Sequence, residues 1–339
     1  MRKILLCLML CSSFIYSANA IAAIEETELL NGFVSKMVNN HQFNEAELKQ
    51  LFKSVDIKQN IIKTMQRPAE GMPWHKYRKI FMVDKRIKGG VKFWQENEAV
   101  LAAVEEKYGV PAEIIVAIIG VETYYGGNTG SHRIIDALST LAFAYPKRSK
   151  FFTRELENFL ILCREEKMNP LEPLGSYAGA MGIPQFMPSS YRAYAADFEN
   201  DAKRDIWNNP ADAIASVANY FVKHHWAKGE AIAFKLKAEG DAYQKVLSRD
   251  LKPNMIWAEL QALELSSDRV FAANEKIKLL AYQQPEGEDL WAGLHNFYVI
   301  TRYNHSALYG MAVYQLSQAV YKQRQQDTVV KNNELSLKN

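Results

Sequence analysis

The stretch Pro111-Ala112-Glu113-Ile114-Ile115-Val116-Ala117-Ile118-Ile119-Gly120-Val121-Glu122-Thr123 is nearly all apolar, yet it carries an acid at its far end. Read as a helix, it sets Ile115, Ile118, Ile119 and Glu122 at i, i+3, i+4 and i+7, on one buried face. A carboxylate on such a face loses hydration, which disfavours its charged form, so its pKa is expected to rise. A carboxylic acid still protonated near neutral pH can hand its proton to a leaving oxygen. Taken alone, Glu122 also fits a glutamate that caps a turn or pairs with a basic group. The rest of the chain decides between these readings.

The first residues follow an export pattern. Arg2 and Lys3 make a short basic region, Ile4 to Ile15 an apolar core interrupted by Ser12 and Ser13, and Ala18-Asn19-Ala20 a small-x-small cleavage site. Residues 1–20 are expected to be a signal peptide cleaved after Ala20, with an uncleaved anchor as the other reading. Leu6 before Cys7 and Leu10 before Cys11 do not match the small residues that precede a lipidated cysteine. Nothing later approaches the ~18 unbroken apolar residues of a membrane span. Cleavage leaves Cys163 as the single cysteine, so no internal disulfide is expected, and its neighbours Phe159 to Leu162 mark it as core. Loss of Arg2 and Lys3 lowers the formal charge from +3 to +1, far from the basic face of a nucleic-acid binder, and no nucleic-acid partner is expected. Of the 17 Tyr, 16 Phe and 6 Trp many must be core, but an exposed remainder suits carbohydrate, whose C–H faces pack on aromatic rings.

Three textures follow along the chain. Residues 25–108 are helical in pattern, broken between Arg67 and Pro73 and at Gly89-Gly90. Residues 109–229 alternate helical segments with Gly- and Pro-rich loops at 125–130, 169–175 and 179–188, the kind of loop on which sites form. Within residues 230–305, Lys276 to Tyr282 begins with strand-like alternation and Gln283 to Asp289 turns around Pro285 and Gly287. Leu290 to Tyr303, rich in aromatic and β-branched residues, then reads as a second strand. A helix over about 306–324 is expected to return to the N-terminal helices and complete their domain, and the polar residues 325–339 read as a disordered tail. The expected class is mainly α (α+β), with a flanking helical domain and a small mixed α/β insertion around the 109–229 domain.

The strongest local signal is Gly175-Ser176-Tyr177-Ala178-Gly179-Ala180-Met181-Gly182-Ile183-Pro184-Gln185-Phe186-Met187-Pro188. Its small residues let backbone approach closely, either to another segment or to a ligand. Together with Gly120-Val121-Glu122-Thr123 it resembles the lysozyme-like catalytic domain of the membrane-bound lytic transglycosylase B family. Ile134 to Leu141 followed by Tyr145-Pro146-Lys147-Arg148, Ser216 to Phe221, and Phe297 to Ser306 extend the likeness, which runs from about Trp74 to Tyr314.

The resemblance implies cleavage of the β-1,4 bond between N-acetylmuramic acid and N-acetylglucosamine in peptidoglycan glycan strands. It implies one catalytic carboxyl group, Glu122, and no required cofactor. An ordinary glycosidase uses two carboxyl groups; here the C6 hydroxyl of muramic acid would attack, leaving a 1,6-anhydro sugar. Ser176 would hold Glu122 or the N-acetyl group, with Gln185 doing similar work. Tyr77, Tyr220, Tyr303, Asn304 and Tyr309 would line the groove, with Phe186 as a stacking face. Lys147 and Arg148 would meet peptide or lactyl carboxylates, although Lys147 stands where a second arginine is expected and offers a point charge instead of a fork. A periplasmic monomer is implied, with peripheral association to the outer membrane or a cell-wall complex.

Asp197, Glu199 and Asp201 are spaced like the first ligands of an EF-hand calcium loop, which the resemblance would close with Asp212. Ala202 stands where the sharp turn wants glycine, and the closing acid lies beyond the twelfth position. Calcium and a metal-free acidic loop both stay open. Two rival functions remain. A hydrolytic muramidase would need a second carboxylate, for which Asp136 or Asp212 are the candidates, and a non-catalytic peptidoglycan-binding protein would have no use for Glu122.

Overall fold

The computed structural model describes residues 22–23, 27–66 and 71–336; the signal-peptide expectation for residues 1–20 lies outside them. The first helices are α1 (Glu28–His41), α2 (Glu45–Phe52) and α3 (Gln59–Met65). Thr27 and Asn44 cap the first two, their side-chain oxygens accepting from the amides of Leu30 and Glu47. Between α2 and α3, β2 (Asp56–Ile57) pairs antiparallel with β1 (Ala22–Ala23). Next come α4 (Trp74–Phe81), α5 (Asp84–Glu96), α6 (Glu98–Tyr108) and α7 (Ala112–Thr123).

α7 is the hub. Ile114 to Gly120 are all buried, so the helix is enclosed on every side over that length rather than on one face. Beyond it, β3 (His132–Arg133) pairs with β4 (Leu174–Gly175), and between them run α8 (Ile134–Ala144) and α9 (Ser149–Glu165). Cys163 is buried and free, as expected of a core position, and burial pushes its thiol up to about 12. Then follow α10 (Pro188–Tyr194) and α11 (Pro210–Lys223).

The helices of residues 25–108 divide their packing between the α8–α9 pair and the C-terminal helix. Phe33 of α1 and Phe52 of α2 meet Phe143 of α8 edge-on, at 5.9 and 6.3 Å between ring centres, so α1–α3 lie on the α8–α9 pair. The later helices α4 and α5 pack on α14 (Ala307–Ser336), and Glu98 of α6 is bonded to its Arg324.

The insertion is a five-stranded sheet whose pairings are all antiparallel. Its strands are β5 (Ala233–Ala238), β6 (Met255–Ile256), β7 (Leu265–Ser266), β8 (Lys276–Gln283) and β9 (Glu288–Gly293), in spatial order β6-β8-β9-β5-β7. A short α12 (Trp257–Gln261) follows β6, and Trp257, Leu260, Ile277 and Leu290 fill a separate small core. On the opposite face Leu280 and Tyr282 pack with Trp74, Phe297 and Met311, which docks the sheet on the helices.

Two expectations need correction. The strand foreseen over Leu290 to Tyr303 stops at Gly293, and residues 295–303 form α13 (His295–Tyr303). Phe297, Val299, Ile300 and Thr301 are buried there, and docking of this helix on α14 overrides their preference for strands. The tail foreseen as disordered over 325–339 instead continues α14 to Ser336. No glycine or proline follows Gly310 to stop it, and Arg324 is bonded to Glu98 of α6 near the point where disorder was expected.

Candidate active site

Glu122 occupies the last turn of α7. The residue is half-buried but its carboxyl is enclosed, and burial pushes its pKa up to about 7. The Tyr309 hydroxyl donates to Oε1 at 2.5 Å, which works against that rise by favouring the charged form. Among the described residues no other carboxylate contributes to the shift.

Four tyrosines from four helices gather beside this acid. Tyr309 of α14 is buried and stacks parallel to Tyr303 of α13, 6.5 Å between centres and 9° between planes. The Tyr303 hydroxyl donates to the carbonyl of Pro184 at 2.7 Å, tying α13 to the loop after β4. Tyr220 of α11 lies 4.7 Å from Tyr303, stacks on His224 at 4.0 Å, and donates to the carbonyl of Arg302 at 2.6 Å. Tyr77 of α4 completes the set. Burial raises its pKa first and the Glu122 charge raises it further, as they do for Tyr303 and Tyr309. All three phenols therefore stay protonated donors at neutral pH.

The end of α7 is held by residues the sequence did not single out. Tyr124 and Tyr125 both adopt left-handed backbone, φ 55° and 63°, and their amides cap the helix on the carbonyls of Gly120 and Ile119. The Tyr125 ring then folds back over Gly120, where a Cβ would lie 2.6 Å from the phenol oxygen; no side chain larger than hydrogen fits. The Tyr125 hydroxyl donates to the carbonyl of Arg86 at 2.9 Å, while the Arg86 guanidinium donates to the carbonyl of Gly120 and lies 4.6 Å over the Tyr124 ring. Thr123 Oγ1 donates to the carbonyl of Ile183 at 2.9 Å and accepts from the Gly126 amide at 3.0 Å. The available clue was the pairing of Gly89-Gly90 with Gly120, since all three pack on Tyr125.

Ser176 and Gln185 shape the adjoining loops. Ser176 Oγ accepts from the Ala180 amide at 3.0 Å, so its own proton remains to be donated. Gln185 donates to the carbonyls of Thr129 and Gly182 at 3.1 and 3.0 Å, leaving its amide oxygen as an acceptor. Its backbone is left-handed at φ 53°, and Gly182 precedes it at φ 64° with the Ile206 carbonyl 2.5 Å from where a Cβ would sit. Among the described residues neither side chain bonds to Glu122.

The remaining expected residues divide. Asn304 is exposed at the end of α13, between Tyr303 and Tyr309 in the chain. Phe186 is 2% exposed and packs on Tyr220 and Tyr303, so it backs the tyrosine wall and offers no face for stacking. Lys147 and Arg148 are exposed on a single 3₁₀ turn after α8, with Arg148 4.3 Å over the Phe151 ring, and no bond joins the pair to Glu122 among the described residues. The two candidate second carboxylates are engaged elsewhere. Asp136 is buried and bonded to Arg133 at 2.8 Å and to the Asp56 amide at 3.1 Å; Asp212 is buried and accepts from the amides of Phe198 and Asp205, both at 2.8 Å.

The acidic loop has part of the calcium-loop backbone. Asp197 accepts from the amides of Asp201 and Ala202 at 3.2 and 2.8 Å, and Ala202 takes the left-handed turn, φ 67°, that glycine would take more easily. Burial raises the pKa of Asp212, and the charges of Asp197 and Asp201 reach it and raise it further, while several acid oxygens are engaged by the protein itself. Glu199 accepts from Asn209 at 2.9 Å, both Asp212 oxygens are bound to backbone, and among the described residues no three His, Cys, Asp or Glu side chains could hold a metal ion.

The family model described as "Transglycosylase SLT domain" matches residues 25–318. The chain is 43% identical over 298 residues to membrane-bound lytic murein transglycosylase B of Escherichia coli (strain K12), covering 85% of this chain and 81% of that protein. Among solved structures, soluble lytic transglycosylase SltB1 from Pseudomonas aeruginosa superposes with a TM-score of 0.83 at 48% identity, covering 87% of this chain and 99% of that one. Escherichia coli lytic transglycosylase Slt35, solved in complex with calcium, gives 0.82 at 41% identity, covering 88% and 94%.

Proposed function

From the premise that this chain belongs to the transglycosylase SLT family and is a lytic murein transglycosylase, we propose that Glu122 is its single catalytic acid–base. The reaction cleaves the β-1,4 bond between N-acetylmuramic acid and N-acetylglucosamine and needs no cofactor. Glu122, neutral at a pKa raised to about 7, gives its proton to the glycosidic oxygen as the bond to the anomeric carbon breaks. The carbonyl oxygen of the substrate's own N-acetyl group meets the positive charge left on that carbon. The Glu122 carboxylate then takes the proton of the muramic acid C6 hydroxyl, whose oxygen bonds to the anomeric carbon and closes the 1,6-anhydro ring. The proton count balances, and Glu122 ends deprotonated-then-reprotonated, ready for the next bond.

The observation that carries this reading is the solitude of Glu122. A hydrolytic muramidase needs a second carboxylate to activate water or to attack, and the shift of Glu122 registers no acid beside it, while Asp136 and Asp212 are engaged in holding backbone. Around the acid, Tyr77, Tyr220, Tyr303, Tyr309 and Asn304 would line the glycan groove. The spare proton of Ser176 and spare oxygen of Gln185 would receive the N-acetyl group, and Lys147 and Arg148 would meet stem-peptide or lactyl carboxylates. The substrate lies in the cell wall, so the working place is the periplasm, reached by way of the signal in residues 1–20; we read the enzyme as a monomer peripheral to the outer membrane. Mass spectrometry of digested sacculi tests the reaction: 1,6-anhydro ends are expected, and reducing muramic acid ends would sink the assignment.

A further inference from the structure

A second set of aromatic and amide side chains lies outside the Glu122 cluster, where the β5–β9 sheet meets α4 and α14. A cavity of about 420 Å³ there is lined by Trp74, Trp291, Tyr314, Gln284, Gln315 and Gln318, among others. This is within the ~300–1,000 Å³ of ordinary ligand sites. A neighbouring cavity of about 260 Å³ shares Tyr314 and Gln318 and adds Trp226 and Phe234. Aromatic side chains and planar amides thus recur along one face of α14.

We propose that these two cavities form a secondary glycan site, which holds a stretch of N-acetylated strand away from the bond being cut. Pyranose rings stack their C–H faces on indole and phenol rings, which the half-buried Trp291 and Tyr314 offer while the buried Trp74 backs them, and N-acetyl groups pair with side-chain amides such as those of Gln315 and Gln318. The indole N–H of Trp291 is buried and has no hydrogen-bond partner among the described residues, a donor left for a ligand oxygen. Gln315 accepts from Arg78 Nε at 2.6 Å through its oxygen, so its amide N–H groups point to no partner in that bond and are free to donate. Of the two cations in the lining, Lys235 is matched by Asp289 at 2.9 Å and Arg78 is bonded to the amide oxygen of Gln315. The same helices serve both places: α4 carries Trp74 here and Tyr77 beside Glu122, and α14 carries Tyr314 here and Tyr309 on the Glu122 carboxyl.

The identity of the polymer rests on the proposed function, so the test separates the two. In a Glu122→Gln background, which leaves sacculi uncut, binding to purified sacculi is measured by pull-down for the otherwise unchanged protein, for Gln318→Trp and for Trp291→Phe. Gln318 is exposed and lines both cavities, so tryptophan there is placed to fill their junction. Trp291→Phe keeps a ring and removes the unpaired N–H. Gln318→Trp should weaken sacculus binding about tenfold, the scale of losing one central contact, and Trp291→Phe should weaken it less, with melting temperatures held. Unchanged binding by both variants overturns the secondary site, provided the enzyme with Glu122 intact releases anhydro products from the same sacculi. Failure of that enzyme to release them would count against the proposed reaction instead.

Discussion

Glu122 sits between two opposed influences, burial that keeps its proton on and the Tyr309 hydroxyl that steadies its carboxylate. An acid that must first give and then take a proton gains from such a balance, because its pKa near 7 leaves both forms accessible. Glu122→Gln should lower turnover of sacculi by about 10²–10⁴-fold, since the amide matches the shape but carries no transferable proton; turnover within a few-fold of the parent would remove the residue from its role. Tyr309→Phe removes the one influence that lowers the pKa. The alkaline limb of the pH–rate profile should therefore move to higher pH while the rate falls, and an unmoved limb would mean that the bond does not reach the active form. Glu122 was legible in the sequence because an acid ending an apolar run is rare and its consequence is simple desolvation. Its partner Tyr309 was reachable only through family resemblance, since nothing local to residue 309 tells that α14 returns to α7.

At the scale of elements, the site depends on where α7 stops. The cap at Tyr124 and Tyr125, the Arg86 clamp on the Gly120 carbonyl and the Thr123 bond to Ile183 together fix the last turn against the loop that bears Gln185. Thr123→Val keeps the shape and removes the hydroxyl. It leaves the Ile183 carbonyl and the Gly126 amide without their partner, which should cost about 1–3 kcal/mol of stability, and loss of register between α7 and the loop should lower kcat more than it raises KM. Thermal melts and steady-state kinetics on soluble glycan read the two effects separately. The acidic loop makes the opposite case. Ala202 holds a left-handed turn that glycine adopts freely, so Ala202→Gly should stabilise the protein by roughly 0.5 kcal/mol once the added freedom of the unfolded chain is subtracted. The gain is expected in chelator and in calcium alike; a gain confined to calcium would mean that Asp197, Glu199, Asp201 and Asp212 do close on an ion. Periodicity found the long helices and the β8 strand, but α13 escaped it. Phe297, Val299 and Ile300 have the residue types of a strand, and only the neighbouring α14 makes them a helix.

For the whole molecule, the enclosed acid is a cost to folding that varies with pH. The folded-state pKa of Glu122 is raised from 4.5 to about 7, so between those values the native protein binds a proton that the unfolded chain has released. Unfolding then gives off protons, and stability from this group falls as pH rises through the window. Below pH 4.5 the acid is neutral in both states and contributes no penalty; above pH 7 the penalty is fully present. Its size is on the order of 1–3 kcal/mol, after allowing for the half-exposed side chain and the Tyr309 bond. Other groups follow the opposite sign. Glu157, beside Lys36 and His41, and Glu165, beside Arg192, are held below the usual carboxylate range and stabilise the protein as pH rises. The parent's own curve mixes these contributions, whereas the difference between parent and Glu122→Gln isolates one residue. Denaturant unfolding of both proteins across pH 4 to 8 should show near-equal stability at the acid end and an advantage for the variant that opens through pH 5–7 and then stays level. A difference that is flat over the whole range would mean that the carboxyl is solvated in the folded protein, and with it the reason for a proton at neutral pH would be lost.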